Sequence, residues 1–237
     1  MINLKSAVLM VLFLSCYIAS AQDQKDPEAW KKQDWPYLAK YRAENEKLGL
    51  PQPGEKRVVF MGNSITEGWK VADPGFFEKE GYINRGIGGQ TTPQMLIRFR
   101  PDVIDLKPRV VVILAGTNDI AGNTGYSSLE MIEDNIASMA DLAQANGIKV
   151  VLSSVLPAYN FPWRKEIEPA GKIAELNTWI KDYANKNDFI YIDYYSEMVD
   201  ERKGLKSRYS EDGVHPNKAG YEVMRGLAEK AIAKALK

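Results

Sequence analysis

Arg57-Val58-Val59-Phe60-Met61 runs without a polar break into Gly62-Asn63-Ser64-Ile65-Thr66. The run of five is short and rich in β-branched and aromatic residues, which suits a strand covered on both faces rather than one with a wet side. Runs of the same kind recur at Tyr82–Asn84, Arg109–Leu114, Lys149–Ser153 and Phe189–Ile192. Between them lie helical candidates near Thr92–Leu106, Leu129–Asn146, Ala170–Asn187 and Lys218–Leu236. In the second, Ile132, Ile136, Met139, Ala140 and Ala143 fall at three- and four-residue spacing, and Gly147 follows as a stop. Strand–helix alternation of this kind predicts one α/β domain around a parallel sheet with right-handed crossovers.

In such open sheets, sites form outside the carboxyl ends of the strands. Ser64, Gly88 and Asn118 each follow the end of a different expected strand. Asp212 and His215 come after the fifth strand, where a loop can return to the same edge. His215 is the single histidine of the chain, so any imidazole mechanism must use it. A serine hydroxyl needs a base to take its proton, and the base needs a third group to fix its tautomer. Ser64, His215 and Asp212 supply these three roles. The local alternatives are a helix cap for Ser64, a surface turn for His215, and a metal site on Asp212 and His215. The metal reading lacks a second histidine or a cysteine to complete nitrogen or sulfur coordination.

The run Asn84-Arg85-Gly86-Ile87-Gly88-Gly89-Gln90 brings bare backbone close to a neighbour, and Val111-Val112-Ile113-Leu114-Ala115-Gly116-Thr117-Asn118-Asp119 ends in a side-chain amide. A bare N–H and a fixed NH2 are the donor types of an oxyanion hole. In this order the four segments, from about Arg57 to Tyr221, resemble the SGNH or GDSL-type serine hydrolases. The resemblance implies that Ser64 is the nucleophile, that Asp212 and His215 complete a triad, and that the Ser64 N–H, Gly88 and Asn118 form the oxyanion hole. Asn63 stands where the family's name motif has aspartate; asparagine keeps the turn-forming side chain without the charge. The expected fold is a three-layer α/β/α sandwich with a five-stranded parallel, flavodoxin-like sheet. Asp119 is assigned to holding its loop, because Asp212 has the better local relation to histidine.

Residues 1–21 read as a secretory signal: Lys5 at the positive start, a nearly unbroken apolar run from Ala7 to Leu14, and Ala19-Ser20-Ala21 before the cleavage point. A lipid-modified Cys16 is the competing reading, with Phe13 where such signals carry an aliphatic residue. The apolar run is too short for a membrane span. The mature protein is expected to be secreted or periplasmic. Removing Lys5 leaves 30 basic residues against 31 acidic, with no basic stripe for nucleic acid. The only cysteine lies in the signal, so no disulfide is expected, and a domain of about 215 residues buries enough core to fold without one. Residues 22–55, with Trp30, Trp35, Tyr37 and Tyr41, are expected to form an arm packed on a body of residues 56–237, with Pro36 starting a helix that ends at Gly49.

The expected chemistry is hydrolysis of a small ester or an acylated glycan through an acyl-serine, with no cofactor. Tyr159 and Trp163, in the aromatic run that leaves the fourth strand, suit stacking on sugar faces or lining an acyl pocket; a packed loop is the alternative. Trp69 is a candidate pocket wall or core residue. A lysophospholipase or thioesterase would use the same triad, and a carbohydrate-binding protein that kept the fold without turnover is the reading from another class.

Overall fold

Five strands lie side by side in the order β2-β1-β3-β4-β5, all parallel: β1 (Val58–Gly62), β2 (Tyr82–Gly86), β3 (Val110–Ile113), β4 (Lys149–Ser153) and β5 (Ile190–Ile192). The computed structural model describes residues 34–79 and 81–237. The expected signal, Cys16 and Trp30 lie outside the described residues. From Pro36 onward the chain forms one unit. Among the described residues, no helix is long and apolar enough to cross a membrane.

The strands alternate strictly between two cores because successive side chains leave opposite faces. Val59, Met61, Val111 and Ile113 pack with helices α4 (Thr92–Asp102), α6 (Leu129–Ala145) and α7 (Pro169–Lys186), through Phe99, Ile132, Ile136 and Leu176. Val58, Phe60, Val110 and Val112 pack on the other face with α2 (Ser64–Ala72), α3 (Pro74–Phe77) and α9 (Lys218–Ala235), through Ile65, Phe76 and Met224. This is the three-layer α/β/α sandwich with a flavodoxin-like sheet. Its strand order reverses at β1, so the crevice between the ends of β1 and β3 is where such folds place a site.

Three expected helices begin and end within a residue or so of their assigned bounds. The stretch predicted as Thr92–Leu106 divides instead into α4 and a 3-10 turn at Ile104–Leu106, since Pro101 removes an N–H from the last turn. Near the start, α1 spans Arg42–Leu48 rather than beginning at Pro36. Tyr37 is left-handed, with φ 57°, which a helix cannot contain. Gly49 caps the far end as expected. Four helices that the apolar periodicity did not signal are also present: α2 and α3 after β1, α5 (Thr117–Ile120) after β3 and α8 (Tyr194–Met198) after β5.

Candidate active site

At the end of β1 the chain turns straight into α2. Asn63 caps that helix, its side-chain oxygen accepting from Ile65 N at 3.4 Å, so Ser64 is the first helical residue and its hydroxyl is not the cap. Ser64 Oγ lies 2.9 Å from His215 Nε2, and His215 Nδ1 lies 2.7 Å from Asp212 Oδ2. Asp212 Oδ1 accepts the backbone N–H groups of Val214 and His215 at 2.9 and 2.8 Å. Gly213 between them sits at φ 80°, a left-handed bend that turns the chain back onto its own carboxylate. Partial burial raises the Asp212 carboxyl, but the bonds from the His215 ring and from the two backbone amides outweigh it and hold the group down to about 2. An ionised Asp212 can only accept, so Nδ1 carries the ring hydrogen and Nε2 is left as an acceptor facing the Ser64 hydroxyl.

The oxyanion side differs from expectation at one atom. Gly86 touches α2 so closely that an added Cβ would lie 2.1 Å from Glu67 N, and this contact brings the loop after β2 against the helix that Ser64 begins. A Cβ at Gly88 would stand 3.8 Å from Ser64 Cβ. The Gly88 N–H, however, donates to Glu67 Oε2 at 2.8 Å. Asn118 is buried and donates one amide hydrogen to Gln90 O at 2.9 Å, which fixes its plane and leaves its second N–H as the expected donor. Asp119 Oδ1 accepts both the N–H and the hydroxyl of Thr92, at 2.8 and 2.6 Å, tying the β3 loop to the start of α4. Burial raises its carboxyl against those bonds.

Of the expected substrate contacts, Trp163 reaches the triad. Its ring lies 6.1 Å from that of His215, tilted by 35°, stacks on Phe161, and is held by Nε1 donating to Asn123 Oδ1 at 3.1 Å. Tyr159 is 55 % exposed and stands under the Arg202 guanidinium at 5.3 Å. Of the two readings of Trp69, pocket wall or core, the structure gives the core, which corrects its place among the substrate contacts: it is 2 % exposed, stacked on Phe76 at 4.7 Å and on Tyr221 at 5.6 Å. The inward face of α2 decides this, since Ile65 and Trp69 are four residues apart on one helical stripe.

Three residues around the site stand outside the expected motifs. Arg98 is fully buried and donates to Gly62 O and Arg85 O, at 2.9 Å each, and to Gln90 Oε1, joining the ends of β1 and β2 to the loop that carries Gly88. Lys40 pairs with Glu67. Glu67 alone had a visible cue, its position one turn after Ser64.

A serine, a histidine and a carboxylate linked in that order at the carboxyl edge of a parallel sheet match the layout of a serine hydrolase. The family model of the GDSL-like lipase/acylhydrolase family matches residues 60–223. The chain belongs to that family. A GDSL-like lipase of Bacteroides thetaiotaomicron superposes with a TM-score of 0.83 at 53 % identity, covering 84 % of this chain and 98 % of that one. An uncharacterized lipoprotein of Bacillus subtilis is 37 % identical over 129 residues, 46 % of this chain and 52 % of its own length. An acetylxylan esterase of Xylanibacter ruminicola is 27 % identical over 220 residues, 77 % of this chain and 45 % of that protein. The chain thus spans about half the length of these last two relatives.

Proposed function

We propose that this protein removes short acyl groups, acetyl above all, from oxygen esters of carbohydrates, and that it is exported to do so. The observation that carries the reading is the unbroken relay from Ser64 Oγ through His215 to Asp212 at 2.9 and 2.7 Å. Ser64 Oγ bonds to the acyl carbon as its proton passes to His215 Nε2, and the carbonyl pair moves onto oxygen. That oxygen is met by the Ser64 N–H at the start of α2, the Gly88 N–H and the Asn118 amide. The tetrahedral centre then collapses, the ester C–O bond breaks, and the proton goes to the leaving alcohol. Water repeats the sequence on the acyl-serine and restores the hydroxyl.

Two features favour a sugar as the alcohol. His215 and Asp212 side chains are 39 % and 42 % exposed, so the leaving-group side opens to solvent and admits a polymer. The Trp163 ring beside His215 offers an apolar plate of the kind that sugar rings cover. The acetylxylan esterase relative and the leader expected at residues 1–21 are in keeping with this. Hydrolysis of para-nitrophenyl esters from acetyl to dodecanoyl, alongside acetylated xylan, tests it. Acetyl should be preferred and acetate released from the glycan; a preference for octanoyl or longer chains would make the enzyme lipase-like instead.

A further inference from the structure

Glu67 and Lys40 meet at the proposed oxyanion hole. Glu67 follows Ser64 by one turn of α2, so the two side chains leave the same face of the helix. Its Oε2 accepts the Gly88 N–H at 2.8 Å, and its Oε1 is held by Lys40 Nζ. A Cβ added at Gly88 would lie 3.0 Å from that carboxylate and 3.8 Å from Ser64 Cβ, which sets Glu67 beside the nucleophile. Lys40 is confined as well, with its ammonium 5.7 Å from the Tyr37 ring centre and 6.0 Å from that of Tyr41. The segment bearing it is stapled to the loop after β2: the Tyr41 hydroxyl donates to Gly86 O, and Gln90 Nε2 donates to Pro36 O at 2.7 Å.

One N–H cannot serve a carboxylate and a developing alkoxide at once, and two negative charges in contact repel. We infer that Glu67 is a resident anion of the oxyanion hole, displaced from Gly88 by the substrate's carbonyl oxygen, and that Lys40 retains and neutralises the displaced carboxylate. Both are positioning residues of the hydrolysis. Lys40 acts only through Glu67, and it makes the segment ahead of β1 part of the site. The inference rests on reading Ser64 as nucleophile and Gly88 as an oxyanion donor.

The probe is phenylboronic acid. Ser64 Oγ bonds to boron while its proton passes to His215, giving a tetrahedral anion in the hole. Lys40→Met leaves the glutamate charge uncompensated, and kcat and boronate affinity should both fall about tenfold, short of the roughly 10²-fold cost of losing a donor outright. Glu67→Gln should bind boronate several-fold more tightly than wild type, with kcat at or above the wild-type value. In the double variant Lys40→Met with Glu67→Gln, both quantities should return to those of Glu67→Gln, a rescue that a merely structural lysine would not give. The two side chains are 30 % and 36 % exposed, so the variants are expected to fold.

Weaker boronate binding and lower kcat in Glu67→Gln would overturn the inference, since the carboxylate would then build the hole rather than occupy it. A double variant as impaired as Lys40→Met would overturn it too. Wild-type enzyme untouched by boronate would overturn the serine reading together with this one, whereas inhibition identical in all four proteins would overturn this one alone.

Discussion

Asn63 caps the helix that Ser64 begins. Its side-chain oxygen takes the Ile65 N–H, so the neighbouring hydroxyl is free to meet His215 at 2.9 Å. The two residues thereby divide work that serine alone would have to choose between. Because the capping bond is long, at 3.4 Å, Asn63→Ala should cost about 1 kcal/mol or less of stability, read by denaturant unfolding. Asn63→Asp should restore that stability, and its charge at the helix start should add to it.

The proposed triad should behave as a unit. Ser64→Ala and His215→Ala should each lower kcat by about 10³-fold or more with the fold intact, and the double variant should be scarcely worse than either. Single-turnover kinetics with para-nitrophenyl acetate, with circular dichroism as the check on folding, measures this. Losses that multiply would refute the assignment.

Activity should rise with pH through one ionisation, because only the neutral imidazole accepts the serine proton. Asp212, held down to about 2, stays charged across that range and adds no second limb. Its stability effect has a definite sign. The folded carboxyl lies below an unfolded value of about 3.9, so the contribution is complete above that pH and is lost as pH falls toward about 2. The Tm gap between wild type and Asp212→Asn should therefore shrink on acidification from pH 5 to pH 2; a gap that does not change would show that the turn's hydrogen bonds are not what lowers the carboxyl.

Asn118→Ala should reduce kcat by roughly 10²–10³-fold with little change in KM, since an oxyanion donor acts on charge that develops in the transition state. A large rise in KM at unchanged kcat would instead make Asn118 a ground-state binder. Gln90 O accepts its other hydrogen and keeps the amide aimed.

Trp163 and Trp69 should separate cleanly. Trp163→Ala should impair acetylated xylan more than para-nitrophenyl acetate, because the plate beside His215 is lost only to the sugar. Trp69→Ala should leave the ratio of the two substrates unchanged and cost about 3–5 kcal/mol in unfolding, as a large ring removed from a packed core does. Equal losses on both substrates in Trp163→Ala would make that ring structural.

Much of this protein is written locally in its sequence. The five apolar runs became the five strands because a strand buried on both faces must be apolar throughout, and Asp212 and His215 pair because three residues and one left-handed glycine close their turn. Chain order and strand ends also placed Ser64, Gly88 and Asn118 at one edge of the sheet. Tertiary packing decided the rest. Trp69 and Trp163 look alike in sequence, but the inward stripe of α2 buries the first while a bond donated to Asn123 Oδ1 holds the second beside His215. The helix predicted from Pro36 gave way to a left-handed Tyr37, and the segment that follows fastens to Gly86 and Gln90. Glu67 takes the Gly88 N–H because Gly86 allows α2 to lie against β2; that contact joins residues remote in sequence, and so no local pattern records it.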